Sequence, residues 1–410
     1  MNISLKQVLK LGENERFKYF DTLLENKMIT INELEDYYIG NISTDTIAFA
    51  KRYSRYINIA RLEDVLIKSK NYNLICAFAS KVPDANIDKL EDAIISSKDA
   101  GYIIEFAKTV KNANIDKLED AIIATNNSAY ICAFAKNVPN ADKERLAHHV
   151  IIKGRLDDIL YMAHITYDRS LEDAIIASRS PSHIYAFAKE IKWSDKKRLK
   201  KAIIQTKHAA YIYQFAYDIP GIDIKSLENT ITEIGNCRYI RDFARNVPKA
   251  NKEKLRKATI ERGTAEDIYD FAYIVCVSSK QDLEDAIIEK GDLNYIIKYA
   301  RNIPSANISR LEEAIIQSKN SEYIYLFARD INGSNINKLV NAILDTSSIY
   351  YILLFAKNIL KIEIDELDYI MYMMAAKPTS QEELSISIDD KLYNERLEKI
   401  KKRIRTKDYK

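Results

Sequence analysis

The sequence predicts an all-α fold, a right-handed α-solenoid of about twelve stacked helical hairpins with an N-terminal cap and a C-terminal helical tail. Three observations predict it. The first is self-similarity: LEDAIISSKDAGYIIEFAKTVKNANIDK, starting at Leu90, returns almost verbatim at Leu118 and in weaker form along most of the chain. Numbering the leucine of L-E-D as position 1 places it at Leu34, Leu62, Leu90, Leu118, Leu146, Leu171, Leu199, Leu227, Leu255, Leu283, Leu311, Leu339 and Leu367. Each step is 28 residues except Leu146 to Leu171, which is 25. That length suits two short helices and two turns and is too short for a βαβ unit of roughly 30 or more.

The second observation is punctuation. Position 25 nearly always carries a capping residue: Thr30, Asn58, Asn86, Asn114, Asp142, Asp195, Asp223, Asn251, Ser279, Asn307 and Asn335. Short polar side chains there accept from the orphan amides of a first helical turn. Acids follow at positions 2 and 3, as in Glu91 and Asp92, where a helix N-terminus favours negative charge. Position 9 carries Gly154, Gly235, Gly263 and Gly291, with Asn126 in a sister unit, and reads as the left-handed residue just past a helix end. This delimits helix A to about ten residues. Pro83, Pro139, Pro220, Pro248 and Pro304 all stand at position 22, where proline stops helix B.

The third is hydrophobic spacing. Helix B starts near position 12 and reads Y-I-x-x-F-A-[KR]-x-[VI]; Ile103, Phe106, Ala107 and Val110 fall on one face. A ten-residue helix is marginal alone, so each hairpin must bury its face against its neighbours. The alanine at position 18 (Ala107, Ala135, Ala188, Ala216) marks the expected closest approach of two helices.

Along the chain, residues 1–33 lie outside the register and read as a helical cap, with Leu5, Val8 and Leu9 on one short helix and Phe17, Phe20, Leu23 and Leu24 on another. Residues 34–378 are the solenoid. The unit at Leu34 is degenerate, and the one at Leu146 departs most, with an irregular turn near 163–170 that is three residues short. Residues 379–410 form a basic C-terminal helix or tail, in which nine basic residues face three acidic ones from Lys391 to Lys410.

Net charge is +3 over 410 residues, which argues against wholesale coating of nucleic acid. The four cysteines, Cys76, Cys132, Cys237 and Cys276, have no paired spacing and read as reduced thiols of a cytosolic protein. No stretch approaches the roughly 20 apolar residues of a membrane span, and MNISLKQVLK lacks a signal peptide's apolar run. A soluble, cytoplasmic protein is expected.

Several features could carry chemistry. Position 19 is basic in Lys108, Lys136, Lys189, Arg245, Arg301, Arg329 and Lys357, and position 15, one turn earlier, holds Tyr185, Tyr213, Tyr269 and Tyr325. Interleaved tyrosines and cations could form a recognition ladder, in the manner of single-strand stacking platforms. Against that, cations stabilise a helix C-terminus, and Cys76, Ile104 and Ile297 at position 15 favour packing. Two basic clusters, Lys196, Lys197, Arg198, Lys200, Lys201 and Lys252, Lys254, Arg256, Lys257, replace the usual acids in the units at Leu199 and Leu255. They are the best polyanion-contact candidates, weighed against a merely solvated surface. His148, His149, His164 and His183 cluster at the irregular unit, but their spacing does not suit a metal. No G-x-S-x-G, C-x-x-C or phosphate loop occurs. Neither a catalytic site nor a cofactor, metal or small-molecule substrate is expected.

The L-E-D-A-I-I…Y-I-x-x-F-A-[KR] unit over residues 34–378 resembles short tandem helix-pair repeats of uncharacterised bacterial and viral proteins. The resemblance implies an α-solenoid and nothing catalytic. The period is shorter than that of tetratricopeptide or ankyrin repeats, and the longer unit of base-reading RNA repeats is absent. The leading expectation is a non-enzymatic scaffold that binds a protein partner through its curved surface, with recognition at Asp99, Asn127, His208 and Asp292 and at positions 16 and 20. Nucleic-acid binding through the basic clusters and position-19 cations is the first alternative. A structural or assembly protein of a virus or phage is the second.

Overall fold

The computed structural model describes Val8 and residues 11–275, 281–346, 348–363 and 390–406. Among them are 26 helices and no strand, and none of these helices is long and apolar enough to cross a membrane. The chain divides into two compact units, Met1–Ala202 and Ile203–Lys410, each an α-solenoid of A and B helices.

In the first unit the A helices include Ile59–Ser69, Ile87–Ser96, Ile115–Ala124, Lys143–Lys153 and Arg169–Ala177. The B helices alternate with them: Tyr72–Lys81, Ala100–Thr109, Ser128–Asn137, Leu156–Ile165 and Pro181–Glu190. From Tyr72–Lys81 to Leu156–Ile165, each B helix lies against its own A helix, the next A helix and the next B helix. The buried set repeats with the sequence: Leu at position 1, then the apolar residues at 5, 14, 17, 18 and 21, such as Leu90, Ile94, Ile103, Phe106, Ala107 and Val110. The small Ala107 and Ala135 lie where neighbouring B helices meet. The second unit repeats this scheme with A helices Lys225–Ile234, Lys252–Arg262, Gln281–Lys290, Ile308–Gln317 and Ile336–Leu344. Its B helices are Ala209–Asp218, Cys237–Asn246, Ala265–Val275, Leu293–Asn302, Ser321–Asp330 and Ile349–Asn358.

Both ends carry helices outside the repeat. Glu13–Glu25 buries Phe17 and Phe20 in one cluster with Val8, Leu34, Tyr38, Phe49 and Tyr53. Arg16 pairs with Asp45 at 2.5 Å, and Tyr53 Oη donates to Asp21 at 2.6 Å. At the other end, Asp390–Arg405 lies against Ile336–Leu344 and buries Ile400 and Ile404. Leu5, Leu9, Ser279, Cys276 and the end of the repeat at 364–378 lie outside the described residues.

The acids at position 2 stand at the fourth or fifth residue of helix A. Glu91 is the fifth residue of Ile87–Ser96, past the first turn where the dipole acts. Glu35, Glu63, Glu91, Glu119, Glu172, Glu228, Glu284 and Glu312 are at most 5% exposed. Each accepts, at 2.5–3.0 Å, the backbone N–H of the position-25 residue of its own repeat, which caps the next helix A, from Asn58 to Asn335. A cation at position 28, in the first turn of that next helix A, closes the contact: Arg61, Lys89, Lys117, Arg145, Arg198, Lys254 and Arg310 stand 2.9–3.8 Å from the glutamate. The same cation reaches the aspartate at position 3, as Lys89 does Asp64 at 2.8 Å. A buried carboxylate needs such partners, because burial without them is costly. The L-E-D motif is therefore a staple between repeats.

Position 9 is corrected in part. Gly235 and Gly291 are left-handed, with φ of 74° and 71°, as expected of a residue closing a helix. Elsewhere the same conformation falls on Lys70, Lys98, Asn126, Arg179, Lys207 and Lys319. Gly154 and Gly263 are instead extended, with φ of −79° and −81°. A Cβ there would stand 2.5 Å from Val150 O or Thr259 O. At these two positions glycine is required by close approach, not by handedness.

Candidate binding surface

Helix B buries positions 14, 17, 18 and 21, which leaves 12, 13, 15, 16, 19 and 20 for neighbouring repeats and solvent. In the second unit those positions build an aromatic row. Tyr213 stacks on Tyr217 with centroids 6.0 Å apart and planes at 22°, and Tyr269 on Tyr273 at 5.8 Å and 12°. The inner ring of each pair reaches the next repeat, Tyr213 to Tyr239 at 6.4 Å and Tyr269 to Tyr295 at 5.9 Å. Tyr213, Tyr269 and Tyr325 each accept a hydrogen bond at the phenolic oxygen, from Asn246, Asn302 and Asn358 at 2.8–2.9 Å. The donor is 33 residues downstream in every case, so the tyrosine at position 15 is locked by position 20 of the next repeat. The outer rings, Tyr217 and Tyr273, are both 56% exposed.

The position-19 cations are mostly engaged. Arg301 and Arg329 share Asp330, Arg329 at 2.6 Å. The Arg329 guanidinium lies 5.5 Å over Tyr325, and Lys189 Nζ donates to Tyr185 Oη at 2.8 Å. Arg245 is exposed. Charge along this face is balanced by pairs between repeats, such as Arg241 with Asp270 at 2.5 Å.

The basic clusters belong to different units, and each spends part of its charge on the protein's own acceptors. Lys196 donates to Ile191 O at 3.0 Å, to Ser194 Oγ at 2.6 Å and to Ala188 O, and its partial burial pushes the ammonium pKa down. Arg198 is a staple cation on Glu172 and Asp173, and Lys254 is one on Glu228 and Asn229. Arg256 is 7% exposed and lies 2.8 Å from Asp282 and 2.7 Å from Glu253; Lys257 reaches Glu253 at 3.7 Å. Lys197, Lys201 and Lys252 are exposed and Lys200 is half-buried. So at least five of the nine, Lys196, Arg198, Lys254, Arg256 and Lys257, hold the protein's own acceptors. Arg256 occupies the staple position itself with the charges exchanged: cation at position 2, and acid, Asp282, at position 28.

The proposed turn residues are occupied as well. Asp99, Asn127 and Asp292 cap helix B, accepting from Gly101, Ala129 and Asn294 amides at 2.8–3.0 Å. At the irregular unit, His183 Nδ1 is 2.8 Å from Ser180 Oγ and His183 Nε2 is 3.1 Å from Asp157. This serine–histidine–carboxylate chain resembles a hydrolytic relay, but Asp157 is 74% exposed. Position 13 holds tyrosine elsewhere, as Tyr295 and Tyr351, with Glu266 and Glu322 at position 12 of the repeat before each. His183 takes the place of those tyrosines. Burial pushes the Cys76 and Cys132 thiols up to about 12, which leaves them protonated and unreactive at neutral pH.

No family model, curated protein or solved structure matches the chain.

Sequence reasoning missed the staple, although its signal was present. Wherever position 2 is glutamate, position 28 of the same repeat is Arg or Lys; Ala147, Lys200, Arg256 and Val340 are followed by Ser170, Ser226, Asp282 and Glu366.

Proposed function

We propose that the chain is a non-enzymatic repeat scaffold that binds a protein partner through the outer face of its B helices, centred on Tyr217 and Tyr273. One observation supports this above the others: two exposed tyrosines, two repeats apart, are backed by stacked rings that Asn246 and Asn302 hold in place. Rigid aromatic groups give contact area at low entropic cost and are enriched at protein interfaces. The charges around them are mostly neutralised within the protein, which suits a protein surface better than a polyanion. Engagement of Lys196, Arg198, Lys254 and Arg256 weakens the nucleic-acid reading further.

The test places a photo-crosslinking amino acid at position 217, 273 or, as a control, 92 on the A-helix side, in cells that express the chain. Protein adducts at 217 and 273 but not at 92 are expected. Labelled single- and double-stranded nucleic acids, titrated at two salt concentrations, test the alternative. Steeply salt-dependent binding with no adduct at 217 or 273 would reverse the order of the two readings.

A further inference from the structure

The turn after Leu156–Ile165 is three residues short, and Trp193 packs beside it. Its indole donates to Ala163 O at 3.1 Å and rests edge-on against buried Phe187, centroids 5.5 Å apart. Tyr167, from the shortened turn, lies 4.9 Å from the indole and is 59% exposed. Between the two turns is a cleft of about 300 Å³, floored by Ala163, Ile165 and Ile191 and edged by His164, Glu190 and Lys192. That volume is at the bottom of the range for small-molecule sites, and suits one long side chain better than a cofactor.

Its chemistry favours a cation with a flat face. Two aromatic residues, Tyr167 and Trp193, line it, and the Glu190 carboxylate is half-exposed, 3.4 Å from His164 Nε2. The cleft lies at the C-terminal ends of two B helices, Leu156–Ile165 and Pro181–Glu190, where the backbone favours positive charge. The chain already uses that preference: Lys196 Nζ sits on Ala188 O and Ile191 O at the end of Pro181–Glu190. Lys192 at the edge and Arg169, whose Nε is 3.4 Å from Tyr167 Oη, are the opposing charges. Both are on long stems able to swing into solvent.

We propose that this cleft binds the guanidinium of an arginine side chain presented by a partner polypeptide, stacked on Tyr167 and Trp193 and hydrogen-bonded to Glu190. Guanidinium is planar and weakly hydrated and stacks on aromatic faces while offering paired donors to a carboxylate. The site belongs to the first unit and does not depend on the tyrosine row of the second.

Trp193 is the only tryptophan, so its fluorescence reports on this cleft alone. The full-length chain is titrated with an acetylated Gly-Arg-Gly amide and with the same peptide carrying citrulline, a neutral isostere. A saturable change with arginine is expected, about fivefold or more weaker with citrulline. Glu190→Gln and Tyr167→Ala should each weaken binding about three- to tenfold, and Tyr167→Phe should retain it. Circular dichroism checks that each variant keeps its helices. An unsaturable signal, equal binding of the two peptides, or full binding by Glu190→Gln would overturn the assignment.

Discussion

The exchanged pair at Arg256 and Asp282 gives the most searching test of how repeats are joined. Arg256 is buried, its side chain 8% exposed, and Asp282 is 37% exposed. Arg256→Glu removes the buried cation and places an acid beside Asp282 and Glu253. Breaking a buried pair costs about 3–5 kcal/mol; partial exposure of Asp282 reduces this to about 2. Asp282→Lys sets two cations together and should cost a similar amount, about 2 kcal/mol. Combining them recreates the glutamate–lysine staple of the other interfaces, and the double variant should lie within about 1 kcal/mol of the parent, a coupling of about 3 kcal/mol. The assay is urea unfolding followed by circular dichroism, with amide exchange of the flanking helices as a local readout, since repeat arrays need not unfold in one step. A coupling below about 0.5 kcal/mol, the scatter of independent sites, would show that the charges sit together without being coupled.

Three further outcomes follow from the same contacts. Glu91→Ala leaves the Asn114 N–H without its acceptor and should cost about 1–3 kcal/mol, whereas Asp92→Ala, at an exposed partner of the same lysine, should cost well under 1; thermal unfolding distinguishes them. Burial raises the pKa of Glu119, Glu284 and Glu312 against the smaller opposing effect of their backbone hydrogen bonds. A carboxylate whose folded pKa is raised binds more protons folded than unfolded, so its contribution is largest below the unfolded value and falls as pH rises through the folded one. Glu119→Gln should therefore gain on the parent between about pH 4 and pH 7, and urea midpoints at the two pH values that move the other way would refute it. Gly154→Ala should destabilise by about 1–3 kcal/mol through its clash with Val150 O, whereas Lys98→Gly, at φ 57°, should stabilise by about 0.5–1 kcal/mol; differential scanning calorimetry reads both.

What the sequence determined by itself was the period, the helix class and the ends of most helices. These are local: Asn86 and Asn114 cap the residues that follow them, and Pro83 and Pro139 stop the helix they end. The inward face was equally legible, because Ile103, Phe106 and Ala107 fall on one side of any α-helix. Position 9 was legible only in part, since Gly154 and Gly235 carry the same letter for different physical reasons. Only the tertiary structure decided which charges serve the fold and which face solvent. Glu91 and Asp92 are adjacent in sequence, yet one is buried on an amide 23 residues away and the other is exposed. Lys197 and Arg198 are neighbours, yet one is exposed and the other joins two repeats. The tyrosine–asparagine locks and the cleft beside Trp193 were hidden for the same reason. A side chain's charge or ring is written in its letter, but its partner is set by how one hairpin lies on the next.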